Sequence, residues 1–321
     1  MIEYPEVSVC IPTYNYGHYL PDAIESVLDQ TFKDIELIVV DNCSSDDTKN
    51  IVALFSILDP RVKYYCNEAN IGLVGNLNRC LEHAKGKYIK ILCADDVLEP
   101  TCLEKSVNIM EHYPNVELVS VARLIATEDF HPIKTLGFTD EFIVLNGPEA
   151  ISKCLLYGNQ IGEPTAVLFR RNSAGRGFDA RYKQVDDLEM WFRLLELGDL
   201  AHIPETLCKI RQHGVQDTNK NIKLLTFADE EFMLLNEYLM KEYVTLSYFN
   251  KQRARYNRAY LIWDLGSSYR YRETLAKISQ HCNMVLFFFF LGIKKLKIHL
   301  AAQLDKWLKY LHAARIATNP R

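Results

Sequence analysis

The chain has 321 residues, a formal net charge of −4 and 48% hydrophobic residues. That is enough material for one large or two ordinary domains with a real core, and it excludes disorder, collagen-like repeats and low-complexity sequence. The near-neutral total argues against nucleic acid as a partner, yet it averages two unlike parts. His281 to Arg321 holds seven Lys/Arg and one acidic residue, a net of +6. The other 280 residues carry 30 Lys/Arg against 40 Asp/Glu, a net of −10.

Val7 to Ile11 is a short β-rich run that stops at Pro12, and Leu20 to Gln30 follows with the apolar spacing of an amphipathic helix. Ile35 to Val40 is a second apolar strand ending at Asp41. Ser44-Ser45-Asp46-Asp47 supplies capping groups for a helix through Leu58. Val62 to Tyr65, Tyr88 to Leu92 and Val116 to Val121 read as further strands. Leu73 to Ala84 and Pro100 to Tyr113 read as the intervening helices. This β-α alternation predicts an α/β fold: a parallel sheet covered by helices on both faces, with its ligand beyond the carboxyl ends of the strands.

The pattern from Asp140 to Arg211 is mixed. It holds a β-run at Glu141 to Leu145, a helix opened by Gly147-Pro148, a strand at Thr165 to Phe169 and a helix at Asp186 to Leu197. A short strand precedes Arg211. From about Thr218 the chain reads as helical, which predicts a catalytic domain over 1–218 and a helical extension over 219–321. Nine cysteines, an odd number with no C-x-x-C pair, predict reduced thiols in a cytoplasmic protein. The acidic start Met1 to Glu6 has no apolar h-region, so no signal peptide is expected.

Polar residues gather at the predicted strand ends. Asp95 and Asp96 form adjacent carboxylates that suit a hard divalent ion sharing its shell with phosphate, or else an N-cap for the Pro100 helix. Asp41 closes a buried strand and can accept a hydrogen bond from a ribose hydroxyl or a base N–H. Asp186 and Asp187 open a helix, where carboxylates are favoured by the macrodipole. One of them can also serve as a general base in a cleft. Arg211 and His213 are suited to a diphosphate, or simply belong to a polar loop.

Taken in order, these blocks resemble glycosyltransferase family 2, the inverting enzymes of GT-A fold found in bacterial surface-polysaccharide synthesis. The blocks are Val7 to Asn15, Ile35 to Thr48, Asn70 to Gly72, Asn78 to Tyr88, Leu92 to Asp96, Phe169 to Asp179, Val185 to Leu194 and Arg211 to Thr218. The resemblance implies that Pro12, Thr13, Tyr14 and Asn15 line a nucleotide and that Asp41 meets its base or ribose. Asp95 and Asp96 would hold Mn²⁺ or Mg²⁺ and the ribose, with Asp96 favoured for the metal. Asp187 would be the catalytic base, oriented by Asp186, and Arg211 with His213 would face the diphosphate or close the site. Glu163 is a candidate acceptor contact.

The implied donor is a nucleotide-diphosphate sugar, UDP-linked by preference, and the implied acceptor a hydroxyl of a glycan or lipid-linked glycan. This chain departs from the family pattern at Cys93, where the first carboxylate of the metal motif usually stands, and at Asp186, where Glu is usual. A nucleotidyltransferase would need a basic Gly-rich loop after the first strand, which Pro12 to Gly17 lacks. A non-catalytic glycan-binding scaffold would have no use for Asp41, Asp95, Asp96 and Asp187.

Met284 to Leu291 is an apolar run with four consecutive Phe. A stripe of Leu, Ile and Trp with lysines opposite continues to Leu311. The run is too short to span a bilayer. Segment 284–312 instead predicts an interfacial helix at the inner face of the cytoplasmic membrane, or a helix docked on the catalytic domain.

Overall fold

The computed structural model of the chain describes residues 4–214 and 216–292. Its first half follows the expected alternation: β1 (Val7–Thr13), α1 (Leu20–Leu28), β2 (Ile35–Asp41), α2 (Thr48–Leu58), β3 (Val62–Cys66), α3 (Gly72–His83) and β4 (Tyr88–Ile91). A two-residue strand β5 (Val97–Leu98) leads to α4 (Cys102–His112) and β6 (Val116–Ala126). Next come β7 (Pro132–Leu136), β8 (Ile143–Leu145), α5 (Gly147–Tyr157), β9 (Val167–Arg170) and α6 (Asp186–Leu195). The long β10 (Asp199–Arg211) is followed by α7 (Asp217–Leu224), α8 (Thr226–Leu239) and α9 (Tyr248–Ser279).

Among the described residues ten strands form one sheet, in the order β3-β2-β1-β4-β9-β6-β10-β5, with β7 on β6 and β8 on β10. The parallel expectation holds for β1 with β2 and β4, for β2 with β3, and for β6 with β10. It fails at β9, which lies antiparallel between β4 and β6. A doubly covered strand is apolar along its whole length in either direction, so its sequence carries no sign of direction. The sheet is therefore mixed. The strand before Arg211 is also not short: β10 runs thirteen residues and pairs with β6 through three register shifts.

Side chains alternate between two cores, as the pleat requires. Val7, Val9 and Ile11 of β1 face α1 and α4, where Leu20, Ile24, Leu103 and Met110 are buried. Cys10, Ile38, Val40, Ile89 and Ile91 face the other way. There they meet α3, α5 and α6. The same core continues into the C-terminal helices through Leu225, Phe227, Phe232, Leu235, Tyr238 and Ile262. Helix α6 is the pivot, since Trp191, Phe192 and Leu195 are buried between the sheet and those helices. No helix among the described residues is long and apolar enough to cross a membrane.

Close packing is tightest where α5 starts against the end of α6. A Cβ on Gly147 would fall 1.7 Å from the Leu195 carbonyl oxygen and 2.5 Å from that of Gly198. Both obstacles are backbone, so neither can swing aside. Gly147→Ala is expected to destabilise the chain by about 2 kcal/mol or more. A lowered urea midpoint at unchanged m would show this. Gly292→Ala, with nothing within 4 Å among the described residues, should leave the midpoint unmoved.

Candidate active site

Three strand ends and two loops converge on one edge of the sheet. After β1 the turn places Asn15 in the left-handed region, with φ of 55°, a conformation that Asn tolerates better than most residues. That turn is laced to the loop after β2. The Asn15 amide donates to Ser44 Oγ at 2.8 Å, the Ser45 amide donates to Asn15 Oδ1 at 2.8 Å, and the Gly17 amide donates to Asp46 at 2.9 Å. Pro12 and Thr13 are buried beneath the turn and Tyr14 is exposed. Thr13 Oγ1 is buried and has no hydrogen-bond partner among the described residues.

Asp41 ends β2 and is 1% exposed. Its carboxylate accepts from the Ser44 amide at 2.9 Å and from the Tyr64 hydroxyl at 2.6 Å. Burial, followed by this bond to Asp41, pushes the Tyr64 hydroxyl far above its ordinary range. Beside it Asn42 accepts from Asn67 and from the Ile71 amide, and donates to Asn70 and the Gly72 carbonyl. Asn76 donates to the Val40 carbonyl. The Asn-rich stretch 67–78 is thus tied to the end of β2. Asn78 makes a two-way bond to the backbone of Phe178.

The loop after β4 brings Asp95 and Asp96 together, and they do different things. Asp96 has both oxygens engaged: the Thr165 hydroxyl donates at 2.6 Å and the Arg211 amide at 2.9 Å. Burial, then the neighbouring Asp95 charge, holds its carboxyl well above the usual range. Asp95 Oδ2 lies 3.0 Å from His213 Nε2 and accepts from Gln216 at 3.1 Å. Arg211 is bonded within the fold. Its guanidinium donates to the Asp95 carbonyl at 2.8 Å, to the Glu128 carbonyl at 2.8 Å and to the Asp22 carboxylate at 2.7 Å. It also lies over the rings of Tyr19 and Phe130.

On the other side of the cleft α6 opens with Asp186 and Asp187. Asp187 accepts from the Leu188 amide at 2.6 Å and from Asn159 Nδ2 at 3.3 Å. Burial, then the Asp186 charge, then Glu163, push its carboxyl well above the usual range. Glu163 raises Asp96 in the same way, so its charge is felt on both sides of the cleft. It is held by an ion pair with Arg123, which is 3% exposed.

Arg123 and Thr165 escape a reading by strand-end position. A charged residue inside the apolar run Val119 to Ala126 was the available signal for Arg123, because a buried charge demands a partner. Thr165 had no such signal. Among the described residues no group of three or more His, Cys, Asp and Glu side chains is arranged to hold a metal ion. A hard divalent ion at a diphosphate takes most of its ligands from phosphate and water, and needs only one or two protein groups. Asp95 with His213 fits that requirement.

A mixed sheet with helices on both faces and carboxylates along its carboxyl edge is the GT-A architecture of glycosyltransferases. The chain belongs to glycosyltransferase family 2, whose description as Glycosyl transferase family 2 matches residues 8–178. It is 30% identical over 223 residues to an uncharacterised glycosyltransferase of Haemophilus influenzae, covering 67% of this chain and 68% of that one. It is 31% identical over 198 residues to a Bacillus subtilis protein with the provisional name teichuronic acid biosynthesis glycosyltransferase TuaG, covering 62% and 75%. Its fold resembles S. aureus TarS 1-349 with a TM-score of 0.64 at 16% identity, covering 86% of this chain and 80% of that one. It also resembles the mannosyltransferase PcManGT of Pyrobaculum calidifontis, solved with GDP-Man and Mn²⁺, with a TM-score of 0.59 at 16% identity and coverage of 98% and 87%.

The buried Asp186 gives a test of the site's electrostatics. Burial first, with Glu230 adding repulsion, pushes its carboxyl up to about 7. An unfolded aspartate titrates near about 4. Between those values the folded chain holds a proton that the unfolded chain releases. The favourable contribution is therefore complete below about pH 4 and is lost as pH rises through about 7. Asp186→Asn is neutral throughout. Its melting temperature should match the native chain at pH 4.5 and exceed it by about 3 °C or more at pH 8.

Proposed function

We propose that this family 2 enzyme transfers a sugar, with inversion, from a nucleotide-diphosphate sugar to a hydroxyl of a glycan or lipid-linked glycan, and that UDP is the carrier. The observation behind the reading is the placement of Asp187. It stands at the start of α6 with a carboxyl raised by burial, and the Glu163 charge acts on it and on Asp96 alike. The turn Pro12 to Asn15 and the end of β2 at Asp41 form the nucleotide side. Asp41 meets the base or ribose with the lone pairs that Ser44 and Tyr64 leave open. A published TarS complex contains UDP-GlcNAc, and that protein shares the fold with a TM-score of 0.56 at 16% identity.

Asp187 accepts the proton of the acceptor hydroxyl. That oxygen forms its bond to the anomeric carbon as the bond to the diphosphate breaks, and the electron pair leaves with the nucleoside diphosphate. Asn159 and the Leu188 amide fix the carboxylate for this transfer. Asp186 behind it raises its proton affinity, so the base is stronger than an ordinary aspartate. Asp95 and His213 would hold Mn²⁺ or Mg²⁺, which when bound neutralises charge on the leaving diphosphate. Asp96 accepts one hydrogen bond on each oxygen, from Thr165 and from the Arg211 amide, and so holds the loop beside Asp95. Arg211 acts the same way, positioning Asp95 rather than touching the diphosphate. Glu163 faces the acceptor from its salt bridge with Arg123.

Asp187→Asn is expected to lower transfer from a UDP-sugar by roughly 10²- to 10⁴-fold while UDP still stabilises the protein thermally. Near-normal transfer by that variant removes Asp187 as the base. The acidic limb of kcat/KM should lie above the ordinary aspartate range. The base works only when deprotonated, and its proton is held more tightly than usual.

We also propose that the C-terminal segment meets a membrane surface. Residues 284–292 are helical. Phe287 and Leu291 are buried, with Met284 packed beside them, while Val285, Leu286, Phe288, Phe289 and Phe290 are exposed. The chain beyond, 293–312, lies outside the described residues. An exposed apolar face of this kind, leading into a lysine-rich segment, suits an anionic interface. Replacing Val285 and Phe289 by Ser should reduce co-sedimentation with phosphatidylglycerol vesicles roughly fivefold or more, given about 1 kcal/mol or more per large apolar group withdrawn. Unchanged partitioning rejects the contact.

A further inference from the structure

A cleft opens beside Asn159, the residue that donates to Asp187. Its volume is about 550 Å³, and it lies between the end of α5 with the loop that follows and the first half of α9. Its polar lining includes Tyr157, Asn159, Gln160, Arg253, Asn257 and Asp264. The cleft is built rather than incidental. Asn257 donates to the Leu156 carbonyl at 2.8 Å, and Arg258 pairs with Glu231 at 3.1 Å, so α9 is pinned to both neighbouring elements.

One wall leads directly to the chemistry. Asn159 lines the cleft and donates to Asp187 Oδ2 at 3.3 Å. Its own side-chain oxygen accepts from the Gly162 amide at 2.9 Å, and the Gly162 carbonyl accepts from Trp191 Nε1 at 3.0 Å. A molecule seated in the cleft therefore touches the residue that grips the carboxylate.

The lining has the chemistry of a sugar site. Tyr157 is 54% exposed and offers an aromatic face to the apolar C–H side of a pyranose. The amides of Gln160 and Asn257 and the carboxylate of Asp264 offer donors and acceptors to hydroxyls, while the Asn159 amide is bonded to Gly162 and Asp187. Arg253 adds a selective element. Its guanidinium lies 5.3 Å over the Tyr157 ring, and among the described residues it makes no ion pair with a carboxylate. A second guanidinium, that of Arg258, lines the same cleft, and its buried Nε has no hydrogen-bond partner among the described residues.

We propose that this cleft is the acceptor subsite and takes a pyranose bearing an acidic substituent, with the ring on Tyr157 and the acid on Arg253. The inference rests on the reading of Asp187 as the base, because that residue gives the neighbouring cleft its meaning. The acid is a carboxylate or a phosphate ester, since a guanidinium fork receives both.

Saturation-transfer NMR on the full chain tests it with methyl β-D-glucoside, methyl β-D-glucuronide and glucose 6-phosphate. Thermal stabilisation by UDP is measured in parallel. At least one acidic probe should bind roughly tenfold more tightly than the neutral glycoside, and the stronger of the two identifies the acid. Arg253→Gln should abolish that preference, and Tyr157→Ala should weaken all three probes. UDP stabilisation should be equal in the native chain and both variants. Preference for the neutral glycoside, equal binding by the variants, or no saturation of any probe overturns the subsite. Loss of UDP stabilisation in the native chain, with the sugar contacts intact, overturns the nucleotide reading instead and leaves the cleft a sugar site.

Discussion

One buried guanidinium holds together the loops after β4 and β6 and the helix α1. Arg211 is 6% exposed, and an unpaired charge at that depth would cost several kcal/mol. It is satisfied by groups from distant parts of the chain: the Asp95 carbonyl after β4, the Glu128 carbonyl in the β6–β7 turn and the Asp22 carboxylate on α1. Its backbone amide donates to Asp96. Tyr19 and Phe130 cover its faces. The end of β10 thereby fixes the loop that presents Asp95, and His213, two residues on, is delivered to Asp95 Oδ2. A lysine could not make these divergent bonds, because the fork geometry belongs to arginine.

The same crowding sets the electrostatics across the cleft. Asp95, Asp96, Asp186 and Asp187 lie near the partly exposed Glu163, and burial raises Asp96, Asp186 and Asp187 together. Concentrated negative charge of this kind disfavours the folded state unless a ligand relieves it. A divalent cation would relieve the Asp95 side. The Arg123 ion pair already restrains Glu163 on the other side. Clusters of perturbed carboxylates mark sites where function has been placed against stability.

Much of this was legible in the sequence, for identifiable reasons. Strands β1 to β4 and their helices announce themselves because each is bounded by a turn and faces two cores, which imposes long apolar runs and amphipathic helices. Asp41, Asp95 and Asp187 stand out in the sequence because they are carboxylates at strand ends and at a helix start. What was hidden depends on tertiary pairing. The direction of β9 is set by the path of the chain through α5. The length of β10 emerges only when β6 lies beside it. Arg211 reads as a diphosphate ligand from its neighbours in sequence, while its partners lie 83 to 189 positions away. Local sequence names the residue and leaves its partner open.

The neutral total of the composition likewise conceals where the helices after 217 act. They do not form a separate appendage around a core of their own. Phe192 of α6 meets Tyr238 of α8 at 4.8 Å between ring centres, and both are buried in the core that also holds β1, β2 and β4. Helix α6 therefore receives its position from the sheet on one side and from α8 and α9 on the other. Its first turn carries Asp186 and Asp187, and its second carries Trp191, which holds Gly162 and through it the loop of Asn159. A change in the packing of α8 or α9 displaces α6 as a rigid element, because close-packed interiors transmit strain rather than absorb it. Such a shift moves Asp186 and Asp187 with α6, so these carboxylates take their position from α8 and α9 as well as from the sheet.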